Sequence, residues 1–365
     1  MKKIILEECI MQQGAEATAG SAILGGFVSP IEAAVLKKLP VGEYEIIGRA
    51  AGDEFGVAPL IFNGSEEPAG PVVPVGPVAA VVKGDADFAL ANDVFGVYRR
   101  QAAEHGCHYI HPTYGTVSRY GLIPSAQSSD RIGIVSKNLD DGFALLKLIA
   151  GNDPEDGAMF PDKQYEYTRV DKKPKLGVPR KIIESAGCET ARAIMDFVKN
   201  FDSVDMELKY FDAYGPVRYV LALAEISSNI TRYDGVKFGL RAGGYDGVDG
   251  LYVKTRSEGF GIGAKTAAVL GTMALTKEYY DAYYLKAMKL RRLICDSVRF
   301  DDYDAILLPC AIDGGPYGNL PVHALADLAG LPSVSFSHGG AALQLVAGVK
   351  RENILYAACG TGVLT

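Results

Sequence analysis

The sequence predicts an α/β fold, one domain of 1–365 built on a mixed sheet. Three observations predict it. The 365 residues are 48% hydrophobic and 22% charged, enough to bury a large core. The 42 glycines and 18 prolines are dispersed and punctuate short apolar runs, as alternating strands and helices require. No internal repeat or long linker interrupts the pattern.

The elements follow in order. Residues 43–49 (EYEIIGR) read as a strand. In 68–77, Pro68, Pro71, Pro74 and Pro77 recur every third residue, the period of a polyproline II helix. Such a strip could dock in an aromatic-lined groove. The valines between the prolines favour a stiffened loop entering a helix at Pro77, where a missing N–H costs nothing. Residues 141–151 form an amphipathic helix ending at Gly151, 152–158 a turn, and 174–177 lead into a short strand. In 189–201, Ala191, Ile194, Met195, Phe197 and Val198 fall at helical spacing. Residues 276–299 predict a long helix whose basic C-terminal half suits the helix dipole. Runs 304–310 and 332–338 read as buried strands.

Charge and composition bound the function. A net charge of −7 argues against nucleic-acid binding through the general field, and no apolar run approaches the roughly 18 residues that span a bilayer. The N-terminal MKKIILEECI has too short an apolar stretch for a signal peptide. Six dispersed cysteines without a CxxC pair read as reduced thiols. The expected compartment is the cytoplasm.

Three constellations carry weaker chemistry. His105, Cys107, His108 and His111 cluster, but strand alternation sends His108 to the face opposite Cys107 and His111, which favours structural histidines over a metal site. The same alternation argues against Cys107 as a nucleophile with a histidine base. GFGIGAKTAAVLG (259–271) lacks both full phosphate-loop patterns and reads as a turn into a helix. YYDAYY (279–284) reads as helical packing with some exposed phenols, in preference to a base-stacking platform.

HPTYGTVSRYGL (111–122), AEISSNITRYDGVKFG (224–239), TRSEGFG (255–261), LGTMALTKEYYDAYYLKAMKLR (270–291) and LAGLPSVS (328–335) carry a specific resemblance. SAILGGFVSPIEAAVLKKL (21–39) and IIGRAAGDEF (46–55) extend it. The chain resembles the amidase signature family, and within it the A subunits of aminoacyl-tRNA amidotransferases. The resemblance implies a central twisted mixed sheet with helices on both faces and no cofactor. It also implies a relay in which a lysine, through a serine in a cis peptide, activates a nucleophilic serine. An oxyanion hole of backbone N–H groups lies beside that serine.

Set against those motifs, NDVFGVYR (92–99) falls on SDTGGSIR, so Asp93, Gly96 and Arg99 match while Val97 stands at the nucleophile. PVVPVGP (71–77) falls on GGSSGGS, which puts Val73 at the cis serine and Pro74 beside it. IILEECI (4–10) falls on the lysine strand and places Glu7 at the base. Residues 66–112 contain neither Ser nor Thr, so sliding the register cannot supply a nucleophile. Arg256 matches the arginine that holds the substrate carboxylate; a structural arginine paired with a carboxylate fits the position equally. The family's amine-binding aspartate falls on Leu320, with Asp313 and Asp327 as possible substitutes. The pocket candidates are therefore Arg256, Asp93, Gly96 and Tyr317, with no metal.

The chain is shorter than family enzymes and starts almost at the lysine strand, so core edges are expected to need a cover. The expected function is a catalytically inactive paralogue acting as an assembly or regulatory partner. Its partners would be amidotransferase B and C subunits, an active amidase or a second copy. The alternatives are an enzyme with rewired carbon–nitrogen chemistry, marked by a Cys–His pair near Gly96, and a sensor of glutamine or small amides using Arg256.

Overall fold

Among the described residues, ten strands share one sheet. They are β1 (Lys2–Glu7), β2 (Tyr44–Ala50), β3 (Phe88–Asn92), β4 (His108–His111), β5 (Ile132–Ser136), β6 (Leu176–Val178), β7 (Ser203–Asp205), β8 (Ala305–Pro309), β9 (Ser333–His338) and β10 (Ala341–Ala347). This computed structural model describes residues 1–57, 74–171, 173–312 and 319–361. The spatial order is β2-β1-β3-β5-β4-β9-β10-β8-β6-β7. Strands β2, β1 and β3 are parallel, the middle of the sheet is antiparallel, and β8, β6 and β7 are again parallel. The two parallel ends therefore point in opposite directions.

Among the described residues, twelve α-helices accompany the sheet: α1 (Ala34–Lys37), α2 (Gly76–Lys83), α3 (Val97–Glu104), α4 (Leu139–Ile149), α5 (Arg180–Glu184), α6 (Cys188–Val198), α7 (Phe211–Asn229), α8 (Gly247–Gly259), α9 (Ile262–Leu275), α10 (Lys286–Ser297), α11 (Leu320–Ala329) and α12 (Glu352–Thr361). Strand alternation sends neighbouring side chains to opposite faces. Leu90 thus joins Phe143 of α4, Phe197 of α6 and Leu355 of α12 on one face. Ala89 and Ala91 join Val78 of α2 and Ala102 of α3 on the other. Further along that second face, Ile306 and Leu308 pack with Leu221 of α7, Ile294 of α10 and Leu325 of α11. The mixed sheet with helices on both faces is the predicted architecture.

Local chemistry explains most boundaries. Helix α4 starts two residues before the predicted 141 because the Asn138 side chain accepts the Asp141 N–H at 3.0 Å and caps it there. Pro77 stands in the first turn of α2, as expected, whereas Pro68, Pro71 and Val73 lie outside the described residues. The predicted helix over 276–299 is corrected. Helix α9 ends at Leu275, and α10 is preceded by a π-turn, Asp281–Leu285, in which the Leu285 N–H reaches the Tyr280 carbonyl. The tyrosines stack one turn apart there, Tyr279 on Tyr283 and Tyr280 on Tyr284. Within α10 the basic residues stop at Arg292, so none occupies its last turn. Among the described residues no helix is long and apolar enough to cross a membrane.

Candidate functional site

Glu7 ends β1 at the carboxyl edge of the sheet, between β2 and β3, and is only 4% exposed. Its Oε2 accepts the Asn92 backbone N–H at 2.7 Å and the Cys9 S–H at 3.1 Å, and its Oε1 accepts the Tyr98 O–H at 3.0 Å. Gly52 makes room for the group: a Cβ there would collide with the Glu7 carboxylate and the Tyr98 hydroxyl. Glu7 has no ion pair among the described residues, and burial pushes its pKa up to about 7 despite the three donors. The Cys9 thiol is raised further, first by burial and then by Glu7, which keeps it a thiol. What space remains is about 10 Å³, lined by Glu7, Cys9, Asp53, Asn92, Val94 and Ser125. That is about the room for one water. The Ser125 hydroxyl in this wall donates to the Phe55 carbonyl at 2.6 Å.

The Asp93–Arg99 turn holds its shape through charge. Asp93 accepts the backbone N–H groups of Tyr98 and Arg99 and the Arg99 Nε at 2.8 Å, tying the start of α3 to the end of β3. Gly96 adopts φ 85°, and a Cβ there would drive into the His323 ring. Val97 is the first residue of α3 and packs, half-buried, against the Ala89–Tyr109 cluster.

Behind the turn lies a buried ionic hub. Asp327 of α11 receives Arg99 at 3.0 Å, His111 at 3.1 Å, Arg218 at 3.4 Å and Arg131 at 3.8 Å. Burial alone would raise the Asp327 pKa; Arg99, His111 and Arg218 reverse this and hold it far below the usual carboxylate range. Burial, aided by Arg131 and Arg99, holds His111 neutral. His323 is likewise lowered, to about 4, first by burial and then by Arg99, and its Nδ1 lies 2.7 Å from the Gln344 Oε1.

The predicted residues divide accordingly. Glu7 and the Asp93–Val97 turn meet around Asn92 and Tyr98. Arg256 lies apart: its Nη1 donates to the Ile230 and Tyr233 carbonyls at 2.9 and 3.2 Å, and its guanidinium covers the Phe260 ring. Phe260 packs edge-on against Phe55, which lines the Glu7 cavity, so aromatic rings stand between Arg256 and that space. Asp327 is spent in the hub. Val73, Asp313 and Tyr317 lie outside the described residues. Cys107 is buried among apolar side chains, and no His, Cys, Asp and Glu group fit for a metal occurs among the described residues.

Sequence reasoning missed Arg131, Arg218 and His323. The Arg218–Asp327, Arg131–Ala326 and Arg99–His323 contacts span 109, 195 and 224 residues, and no local spacing signals such contacts. A buried-face position would have been the one available cue, since an arginine within apolar helix α7 needs an anion.

The Amidase family model matches residues 76–321. The A subunit of glutamyl-tRNA(Gln) amidotransferase from Persephonella marina is 36% identical over 337 residues, covering 85% of this chain and 68% of the relative. Its namesake from Neisseria gonorrhoeae is 35% identical over 379 residues, covering 95% and 79%. The crystal structure of the Thermotoga maritima namesake superposes with a TM-score of 0.73 at 26% identity, covering 98% of this chain and 81% of that one. The 6-aminohexanoate cyclic dimer hydrolase shares the fold, with a TM-score of 0.74 at 15% identity. Family match, identity and fold agree, and the chain belongs to the amidase family.

Proposed function

We propose that this chain is a catalytically inactive member of its family that acts as an assembly or regulatory partner. The observation that carries the reading is Glu7. The resemblance gives this position to the lysine base, yet a carboxylate occupies it and accepts three hydrogen bonds, one from a backbone N–H that cannot turn away. Val97, at the nucleophile position, has no proton to transfer. Among the described residues, the cavity beside Glu7 holds about one water.

The surface supports a partner. Most of the exposed large apolar side chains among the described residues fall between Val236 and Leu293, among them Val253, Ile262, Val269 and Tyr279. That segment carries ten Lys and Arg against five Asp and Glu, net +5 in a chain of −7. A basic, apolar face on an acidic protein suits docking onto another protein in the cytoplasm, for which the amidotransferase B and C subunits, an active amidase and a second copy are the candidates.

The test is ammonia release from glutamine and simple amides by the purified protein. The expected result is none above buffer. Turnover that disappears in Cys9→Ala or Glu7→Gln would establish a rewired enzyme instead. Co-expression with B and C subunits is expected to give a complex of fixed stoichiometry.

A further inference from the structure

A crevice of about 1090 Å³ opens at the carboxyl ends of β6, β7 and β8. These strands are parallel, with β6 in the middle. The chain leaves β6 through α5 and α6 to β7 on one side, and returns through α7 to α10 to β8 on the other. Connections that depart to opposite sides of adjacent parallel strands leave a crevice beyond their carboxyl ends, where open α/β sheets bind ligands. Because β6–β8 run against β1–β3, this crevice lies on the opposite edge of the sheet from Glu7.

Its floor is apolar, formed by Ile182, Met206, Leu208, Phe211 and Ile312. On the rim, Arg180 pairs with Asp205 at 2.6 Å and Lys181 with Glu207 at 2.8 Å. Two lining charges make no ion pair among the described residues. One is Lys209, beside the positive end of the 19-residue helix α7, and the other is Asp212 in that helix's first turn. Tyr210, between them, has a left-handed φ of 63° and is 48% exposed.

We propose that this crevice binds a small carboxylate with an aromatic or branched apolar body. The body would lie on Met206, Phe211 and Ile312. The carboxylate would meet Lys209 and the N-terminus of α7, where a cation and a helix dipole act together. Asp212 stands ready for an ammonium if the ligand is an amino acid.

The chain has no tryptophan, so Tyr210→Trp supplies a single reporter in the crevice and Tyr279→Trp a distant control. Each is titrated with 3-phenylpropanoate and with L-phenylalanine. The expected result is a saturable emission change in Tyr210→Trp only, weakened about tenfold by adding Lys209→Glu, the loss of one charge-assisted contact. Lys209 is exposed, so an unchanged circular dichroism spectrum should accompany that loss. Tighter binding of phenylalanine would identify an amino acid ligand, and tighter binding of phenylpropanoate a simple acid. No saturation, an equal response at Tyr279→Trp, or indifference to Lys209→Glu overturns the proposal.

Discussion

A carboxyl group at position 7 destabilises the fold whenever it ionises. Its pKa is about 7 in the folded chain against an ordinary 4.5. The folded state therefore holds this proton more tightly than the unfolded state does. Its contribution is complete below pH 4.5 and is lost as the pH rises through 7. The difference is about 3 kcal/mol. Urea denaturation of Glu7→Gln and wild type from pH 5 to 8 should show that gap opening in favour of the variant; parallel curves would contradict it. At Gly96, alanine must adopt φ 85° and displace the His323 ring. A loss of about 2–4 kcal/mol is expected for Gly96→Ala, measured by thermal melting. The resemblance to family motifs singled out both positions in the sequence. Their surroundings were not legible there. Tyr98 and Cys9 reach Glu7 from elements whose approach only the folded sheet defines.

At the scale of elements, patterning foretold existence and type better than ends. The apolar runs at 304–310 and 332–338 became β8 and β9, and the amphipathic repeat at 189–201 became α6. The π-turn before α10 escaped, because tyrosines at 279, 280, 283 and 284 satisfy a helical period as readily as a π-turn. Caps decide the ends. Removing the Asn138 side chain deprives α4 of its bond to the Asp141 N–H, so Asn138→Ala should cost about 1 kcal/mol with an unchanged denaturant slope. A larger loss would mean that Asn138 also supports the adjoining end of β5.

The molecule as a whole is joined through Asp327. Its partners come from α3, β4, α7 and the segment leading into β5, so one carboxylate anchors both sides of the sheet's second face. Asp327→Asn would leave three buried arginines, of which Arg99 keeps its ion pair with Asp93 while Arg131 and Arg218 keep backbone carbonyl partners. A loss of about 3–5 kcal/mol follows, largely insensitive to salt because the pairs are out of reach of solvent. Equilibrium unfolding at low and high ionic strength checks both statements. The sequence singled out Arg99, His111 and Asp327 one by one, but nothing in it signalled that they meet. Sheet order is equally silent there: β1 lies beside β3 and β9 beside β4, pairings set by long-range register.

The hydrogen bonds around Glu7 also give the site a direction. Each donor there was matched to an acceptor carboxylate. Glu7→Lys would set a cation against the Asn92 N–H. That single substitution toward the resembled motif is a loss before it can be a gain. The present arrangement therefore resists single substitutions toward the motif that the sequence resembles.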